Sequence, residues 1–301
     1  MRSRLLVAIG VALALGAAPR AEQASPFRAE TRLVVVHATV RNDRGDLVTT
    51  LDRGAFTVYE NGKPQPIAVF RRDDVPVSLG LLIDNSGSMR TLRSRVEAAA
   101  LAFVRASNPA DEVFVINFAD HPRLDVEMTG DPRAIEAGIA RVDSIGGTAL
   151  LDAVDAAETY LRARATRDRK ALLIVTDGKD NASEKTMKQI QEAAEQSDTV
   201  VYAVGLFADE GGSSKDGRKE LNELTARTGG AAYYPDNVDQ VETAVLDLAR
   251  QIRQQYTIGY TPINQKLDGS YRTIRVEARG AERLNVRTRA GYRALPSAMA
   301  R

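Results

Sequence analysis

Downstream of residue 75, short apolar runs alternate with longer segments in which apolar residues recur at helical spacing. The apolar runs are VSLGLLI, VFVINF, ALLIVT and VVYAVGL. They lack polar alternation, which is typical of strands covered on both faces. The helical segments are Arg93–Ser107, Arg133–Val142, Leu150–Ala163, Thr186–Gln196, Lys219–Thr228 and Val238–Gln254. This alternation predicts a doubly wound α/β domain with a mostly parallel sheet over residues 75–252.

Strand patterns lie on both sides of this region. Residues 30–73 contain LVVVHATV, FTVYE and PIAVF, and the last two runs flank an Asn61-Gly62 turn that is typical of hairpins. Residues 254–294 contain QYTIGYT, YRTIRVEA and LNVRTR. Each set is too short for a stable sheet of its own. We therefore predict that the two sets pair into one small β-sandwich beside the α/β domain.

The first 24 residues differ in character from the rest. Arg2 and Arg4 precede LLVAIGVALALGAA, an apolar run too short to span a membrane comfortably, and small and polar residues follow. This pattern predicts a signal peptide over residues 1–24, with an uncleaved anchor as the alternative. We expect a secreted or periplasmic protein of the cell envelope.

Composition narrows the classes of function. The 41 basic and 40 acidic residues nearly cancel, so no net field attracts nucleic acid or an anionic membrane. The chain has no cysteine and two histidines, which excludes disulfides, thiolate metal sites and histidine-rich zinc sites. His37, in LVVVHATV, is interpreted as a strand residue on the wetter face of its sheet.

Oxygen-bearing side chains follow three of the predicted strands. Asp84, Ser86 and Ser88 come after the first strand of the α/β domain, in LLIDNSGSM. Thr148 lies in GGTAL just before a helix, and Asp177 follows LLIVT. In an open α/β sheet, ligands bind outside the carboxyl ends of the strands. Carboxylate and hydroxyl oxygens without sulfur or imidazole suit Mg²⁺, Mn²⁺ or Ca²⁺, with Mg²⁺ preferred.

Glycines accompany these residues. Gly87, Gly146 and Gly147 are interpreted as positions where the backbone passes close to an ion.

The motifs DNSGS, GGTAL and TDG together resemble the metal-ion-dependent adhesion site of von Willebrand factor type A domains, a Rossmann-like fold. The pattern D-x-S-x-S, then threonine, then aspartate is matched at all five positions. The flanking sequences FTVYENGKPQPI, YTIGYTP and VRTRAGYRA resemble a narrower group of exported bacterial proteins with this domain.

The resemblance implies a binding module rather than an enzyme. Asp84, Ser86, Ser88, Thr148 and Asp177 would hold a divalent cation, and a protein partner would complete its coordination with an aspartate or glutamate carboxylate. Such a charged contact confers specificity on an interface. We expect neither a nucleic acid partner nor a membrane span after signal cleavage.

Structural roles are the alternative for each motif. Ser86 or Ser88 is a candidate helix N-cap, Thr148 is a candidate cap for the helix near Leu150, and TDG is a candidate turn. Their joint occurrence at three strand ends favours the metal site over these separate roles.

Two further segments are interpreted as loops. Asp180 and Asn181, in GKDNAS, are near the candidate metal site, but they are interpreted as a solvated loop. Asp209–Gly217 is interpreted as a mobile loop without a phosphate-binding pattern.

Two other functions remain open. A Mg²⁺-dependent phosphoryl-transfer enzyme normally has D-x-D at the strand end, whereas Ser86 stands at the second of these positions. A structural envelope protein with a vestigial site predicts no effect of Mg²⁺ on stability or binding.

Overall fold

The computed structural model describes residues 33–141, 145–207, 212–237 and 240–296. The strands in these ranges are β1 (Val34–Asn42), β2 (Phe56–Glu60), β3 (Lys63–Gln65), β4 (Ile67–Arg71), β5 (Val77–Asp84), β6 (Glu112–Phe118), β7 (Pro122–Thr129), β8 (Arg169–Thr176), β9 (Val200–Gly205), β10 (Ala232–Tyr233), β11 (Tyr256–Tyr260), β12 (Tyr271–Ala278), β13 (Leu284–Arg287) and β14 (Gly291–Arg293). The α-helices are α1 (Arg93–Ala106), α2 (Pro132–Ile139), α3 (Leu150–Arg164), α4 (Met187–Ala194), α5 (Gly212–Thr228) and α6 (Val241–Arg253).

The central sheet has the strand order β10-β9-β8-β5-β6-β7. All neighbouring strands are parallel except β7, which runs antiparallel to β6 at one edge. Every residue of β5, in the middle of the sheet, is buried. The predicted doubly wound, mostly parallel α/β fold is confirmed.

Helices cover both faces of this sheet. On one face, apolar residues of α1, α2 and α6 pack against the strands, among them Val96, Ile135 and Leu248. On the other face, α3, α4 and α5 contribute residues such as Val154 and Leu221. Two hydrophobic clusters on opposite faces explain why the central strands read as continuous apolar runs.

Local sequence signals set the starts of two helices. Asp131 accepts a hydrogen bond from the Arg133 amide at 3.0 Å, and Pro132 occupies the first turn of α2. Thr186 and Gln189 form a capping box at the start of α4. These caps satisfy backbone amides that the helices themselves leave without partners.

Helix α5 begins earlier than the sequence predicts. Residues 209–211 of the predicted mobile loop Asp209–Gly217 lie outside the described residues. From Gly212 onward the interpretation is wrong, because α5 starts there. Gly217 is buried on the helix, and a Cβ atom added to it would lie 2.6 Å from the Phe207 ring. Close packing against Phe207 therefore offsets the low helix propensity of this glycine.

The strands outside the α/β domain form two four-stranded antiparallel sheets, with the orders β13-β1-β11-β4 and β14-β12-β2-β3. Strands from the two ends of the chain pair directly, since β1 pairs with β11 and β2 pairs with β12. Residues from both sheets share one hydrophobic cluster that includes Val36, Val58, Ile258 and Val276. Each sheet thus combines two strands that precede the α/β domain with two strands that follow it.

A charged cluster lies inside this sandwich. Arg272 and Glu60, 1% and 3% exposed, form an ion pair at 3.2 Å. The hydroxyls of Tyr260 and Tyr292 donate to the other Glu60 oxygen at 2.9 and 2.8 Å. Arg272 also donates to the carbonyl groups of Asn264 and Lys266. Residues from FTVYENG, YTIGY, YRTIRV and AGYR therefore meet at one buried carboxylate.

The sandwich contacts the α/β domain at the amino ends of the parallel strands. Arg169, the first residue of β8, is buried and donates to the Ile252 carbonyl at 2.9 Å and to the Thr257 hydroxyl at 3.0 Å. Gln255 donates to the Tyr202 hydroxyl at 2.9 Å. The carboxyl ends of the strands therefore face away from the sandwich.

His37 lies at this junction. Its side chain is on the less buried face of β1, as alternation predicts, next to the Thr257 hydroxyl to which Arg169 of the α/β domain donates. Its Nδ1 atom is 3.3 Å from the Thr257 hydroxyl. Burial, followed by the positive charge of Arg169, lowers the pKa of His37 from 6.5 to about 4.

The predicted signal peptide, residues 1–24, lies outside the described residues. Among the helices of the described ranges, none combines the length and apolar character that crossing a membrane requires.

Replacing Glu60 by alanine should lower the free energy of unfolding by about 3–5 kcal/mol, because Arg272 would remain buried without its anion. Urea unfolding followed by circular dichroism measures this. The matched control is Glu277→Ala, which removes the partner of exposed Arg275 on the same strand pair. The Glu277→Ala variant should lose less than about 1 kcal/mol of unfolding free energy. Equal losses for Glu60→Ala and Glu277→Ala would contradict the proposed role of burial.

His37 should make stability fall as pH decreases from 7.5 to 5. The unfolded state takes up a proton near pH 6.5 and the folded state only near pH 4, so protons favour unfolding in between. The natural chain should lose about 1–2 kcal/mol more than His37→Gln over this interval. Urea titrations at both pH values measure the difference, and parallel pH profiles for the two proteins would refute the assignment.

Candidate metal centre

The candidate site lies at the carboxyl ends of β5 and β8, which are adjacent and parallel. Asp84 is the last residue of β5, and Asp177 directly follows Thr176, the last residue of β8. The Asn85 amide donates to the Phe118 carbonyl at 2.7 Å, which fixes the exit of the chain against the end of β6. The register of the sheet thus brings Asp84 and Asp177 to one edge.

Asp84 is fully buried and is held by two hydrogen bonds. The Ser86 amide donates to Oδ1 at 2.8 Å, and the Thr176 hydroxyl donates to Oδ2 at 2.5 Å. Burial raises the pKa of Asp84 to about 6, the hydrogen bonds from Thr176 and Ser86 oppose this, and the charge of Asp177 adds to it. The site therefore contains a buried carboxylate whose negative charge is costly.

The two serines and Asp177 lie in direct contact. The Ser86 and Ser88 hydroxyl oxygens are 3.1 Å apart, and the Ser88 hydroxyl donates to Asp177 Oδ1 at 2.7 Å. Burial also raises the pKa of Asp177, while the Ser88 hydrogen bond lowers it. Ser86 is buried, whereas Ser88 is exposed. This part of the site is open to solvent on one side.

Thr148 approaches from the loop before α3. A Cβ atom added to Gly178 would lie 3.2 Å from the Thr148 hydroxyl oxygen, so this hydroxyl lies next to the residue that follows Asp177. The Gly87 amide donates to the Gly146 carbonyl at 3.4 Å, which joins the serine loop to the threonine loop. The structure thus brings all five predicted residues to the same edge.

The structural alternatives for two residues do not hold. Ser86 stands before a short 3₁₀ helix, Gly87–Thr91, yet its side chain makes no capping hydrogen bond there. The residue at the N-cap of α3 is Ala149, not Thr148, and the helix lacks a side-chain cap at that position. Neither hydroxyl is therefore explained by helix capping.

Gly146 and Gly147 allow neighbouring side chains to approach the backbone closely. A Cβ atom added to Gly146 would lie 2.4 Å from an oxygen of Asp120, and one added to Gly147 would lie 2.6 Å from Oδ1 of Asn181. Gly146 also has a φ of 100°. The close approach of Asp120 and Asn181 accounts for these two glycines, and their approach to an ion stays a prediction.

Sequence reasoning missed several residues around the site. Thr176 binds Asp84, Asp120 accepts from the Gly147 amide at 2.7 Å, and Asn181 accepts from the Thr148 amide at 2.9 Å. Asp180 accepts from the Leu151 amide at 2.8 Å, so the interpretation of Asp180 and Asn181 as a merely solvated loop is wrong. The sequence signal that could have identified Asp120 is its position, because it follows the end of β6 as Asp84 ends β5.

The donor set of the site is two carboxylates and three hydroxyls. Across the ranges that the structure describes, no group of three or more histidine, cysteine, aspartate or glutamate residues is arranged to hold a metal. A cation at the end of β5 would therefore depend on hydroxyl oxygens as well as on Asp84 and Asp177.

The central part of the chain is similar to a known protein family. The family model described as von Willebrand factor type A domain matches residues 79–179. Calcium-activated chloride channel regulator 1 from Homo sapiens and its counterpart from Mus musculus are each 25% identical over 169 residues. That alignment covers 54% of this chain and 17% of each relative, so the chain spans about a sixth of their length.

Solved structures agree on the fold. The von Willebrand factor type A protein from Catenulispora acidiphila has a TM-score of 0.52 at 14% identity, with 89% of this chain and 75% of that chain covered. The vWF domain of the type V pili tip protein Mfa5 from Porphyromonas gingivalis has a TM-score of 0.50 at 12% identity, with 60% and 95% covered.

Proposed function

The chain carries a von Willebrand factor type A domain, and we propose that this domain binds a protein partner through a divalent cation. The ligands would be Asp84, Ser86, Ser88, Thr148 and Asp177. The observation that carries the proposal is the direct contact between loops far apart in sequence: the Ser88 hydroxyl lies 2.7 Å from Asp177 Oδ1.

The residues present fit a hard dication. All five side chains offer oxygen, which suits Mg²⁺ best and also suits Mn²⁺ or Ca²⁺. Two carboxylates balance the double positive charge. A cation would also offset the cost of burying ionised Asp84, a cost visible in its raised pKa. The three hydroxyls are neutral, so the ion keeps affinity for a further anionic oxygen.

The partner chemistry follows from the rim of the site. Ser88 is exposed and Asp177 is partly exposed, so a carboxylate from outside can approach the ion. Ile145, which precedes Gly146, is 70% exposed, and Lys179 is also exposed. We propose that the partner offers an aspartate or glutamate with an apolar side chain beside it.

This is a binding function without catalysis, in a secreted or periplasmic protein of the cell envelope. The location is proposed from the sequence of residues 1–24. The sandwich contacts the amino ends of the strands, so it would act as a platform on the side opposite to the site. A structural protein with a vestigial site and a phosphoryl-transfer enzyme remain the competing functions that experiments must separate.

Adding Mg²⁺ should stabilise the natural chain and not Asp84→Asn. At a free concentration about 100 times the dissociation constant, the gain in unfolding free energy should be about 2.7 kcal/mol. Thermal unfolding with Mg²⁺ and with chelator measures it. Asp198→Asn, which removes an exposed carboxylate near the amino ends of the strands, is the matched control and should keep the gain. A natural chain indifferent to Mg²⁺, Mn²⁺ and Ca²⁺ would support the vestigial site.

Capture of a partner from envelope extract should require the cation and the rim. We expect capture with Mg²⁺ by the natural chain, loss with chelator, and loss with an Asp84→Ala, Ser86→Ala variant. Ile145→Ser should weaken capture while keeping the stabilisation by Mg²⁺. Capture insensitive to chelator and to the double variant would favour the structural role, and release of phosphate from a generic ester, lost in that variant, would favour the enzyme.

A further inference from the structure

The loop after β8 makes contacts that cation ligation does not require. Besides Asp177, it contains Asp180, Asn181 and Ser183, and each of these three side chains accepts a hydrogen bond from a backbone amide in the segment from Thr148 to Asp152. A solvated loop would have no reason to satisfy three amides of another segment.

The contacts to Thr148 are reciprocal. Its amide donates to Asn181 Oδ1 at 2.9 Å, and its carbonyl accepts from the Asn181 amide at 3.1 Å. One residue thus binds both backbone polar groups of Thr148. These two hydrogen bonds fix the backbone of Thr148 on both sides of its Cα atom. The position from which its buried side chain projects is therefore fixed as well.

The neighbouring amides are held in the same way. Asp180 accepts from Leu151 at 2.8 Å, and the Ser183 hydroxyl accepts from Asp152 at 3.0 Å. On the other side, Asp120 accepts from Gly147 at 2.7 Å. The start of α3 is therefore clamped by the loops after β6 and β8, while its own sequence provides no side-chain cap.

Glycine is needed for this clamp. Gly147 permits Asn181 to approach, because an added Cβ atom would lie 2.6 Å from Asn181 Oδ1 and 3.2 Å from the Ala182 side chain. The GGT motif and the GKDN motif are thus two halves of one contact.

We propose that Asn181, supported by Asp180, is a positioning residue that sets the cation affinity of the site by fixing Thr148. The inference rests on the proposed function.

Because Asp177 and Asn181 belong to the same loop, displacement of that loop would move the proposed ligand Asp177 directly and the proposed ligand Thr148 through Asn181. The loop in turn is tied to α5, where Glu220 accepts from the Asp180 amide at 2.9 Å and Asp216 pairs with Lys179 at 3.0 Å. Helix α5 is therefore positioned to influence both ligands together.

The test compares Mn²⁺ and Mg²⁺ affinities by calorimetry for the natural chain, Asn181→Ala and Asn181→Asp. Asn181→Ala should bind about 10–100-fold more weakly, as for other residues that orient metal ligands. Asn181→Asp keeps an acceptor for the Thr148 amide and should bind at least as tightly as the natural chain. Rescue by aspartate is a result that a general loss of stability would not produce.

The matched control is Asn108→Ala. Asn108 accepts from the Ala110 amide at 2.9 Å in the loop before β6, at the amino ends of the strands. The Asn108→Ala variant loses one hydrogen bond from a side-chain amide oxygen to a backbone amide, as Asn181→Ala does. It should leave the cation affinity unchanged.

A second variant tests the contact from its other side. Gly147→Ala should displace Asn181 and weaken binding, and the double variant Gly147→Ala, Asn181→Ala should bind no more weakly than the weaker single variant. Hydrogen exchange in chelator, which needs no metal, should show faster exchange of the Thr148 amide in Asn181→Ala and not in Asn108→Ala.

Equal affinities for the natural chain and Asn181→Ala, or unchanged exchange at Thr148, would overturn the inference while leaving the proposed function intact. Failure of the natural chain to bind any of these cations would overturn both.

Discussion

The burial of the Asp84 carboxylate is the constraint on which the carboxyl edge of the sheet depends. Asp84 ends a strand that is buried along its whole length, so its charge cannot reach bulk water. A buried charge must be compensated by hydrogen bonds or by an opposite charge. The Ser86 amide and the Thr176 hydroxyl supply the hydrogen bonds. They require β5 and β8 to end in register and the chain to turn immediately after Asp84, and this arrangement gathers the hydroxyls and Asp177 at one edge.

The sandwich also contains a buried carboxylate, that of Glu60, whose charge is compensated in a different way. Glu60 is also buried, but it has a counter-charge in Arg272 and hydrogen bonds from two tyrosine hydroxyls, so its cluster is complete within the chain. Because Glu60 precedes the α/β domain and the other three residues follow it, the cluster can form only when both ends of the chain come together. The contacts of Arg169 and Gln255 then orient the sandwich at the amino ends of the strands, which keeps the carboxyl ends accessible.

Patterns that depend on burial were predictable from the sequence, and those that depend on contacts between loops were not. The apolar runs of β5, β6, β8 and β9 identified a sheet covered on both faces, and the motifs at the strand ends named Asp84 and Asp177. The start of α5 at Gly212 was missed because the packing that tolerates Gly217 involves Phe207, which precedes the helix in sequence. The contact of Asn181 with Thr148 was missed because Thr148 lies 33 residues away and offers only backbone groups, which no side-chain pattern reveals.

The two buried carboxylates, Glu60 and Asp84, differ in how their charge is compensated within the chain. Glu60 is paired within the fold, whereas burial raises the pKa of Asp84 to about 6, so its ionised form costs more in the folded chain than in the unfolded chain. The proposed cation would offset this cost, because a positive charge beside Asp84 stabilises its ionised form. The contacts of Thr176 with Asp84 and of Asn181 with Thr148 hold this edge of the sheet in place.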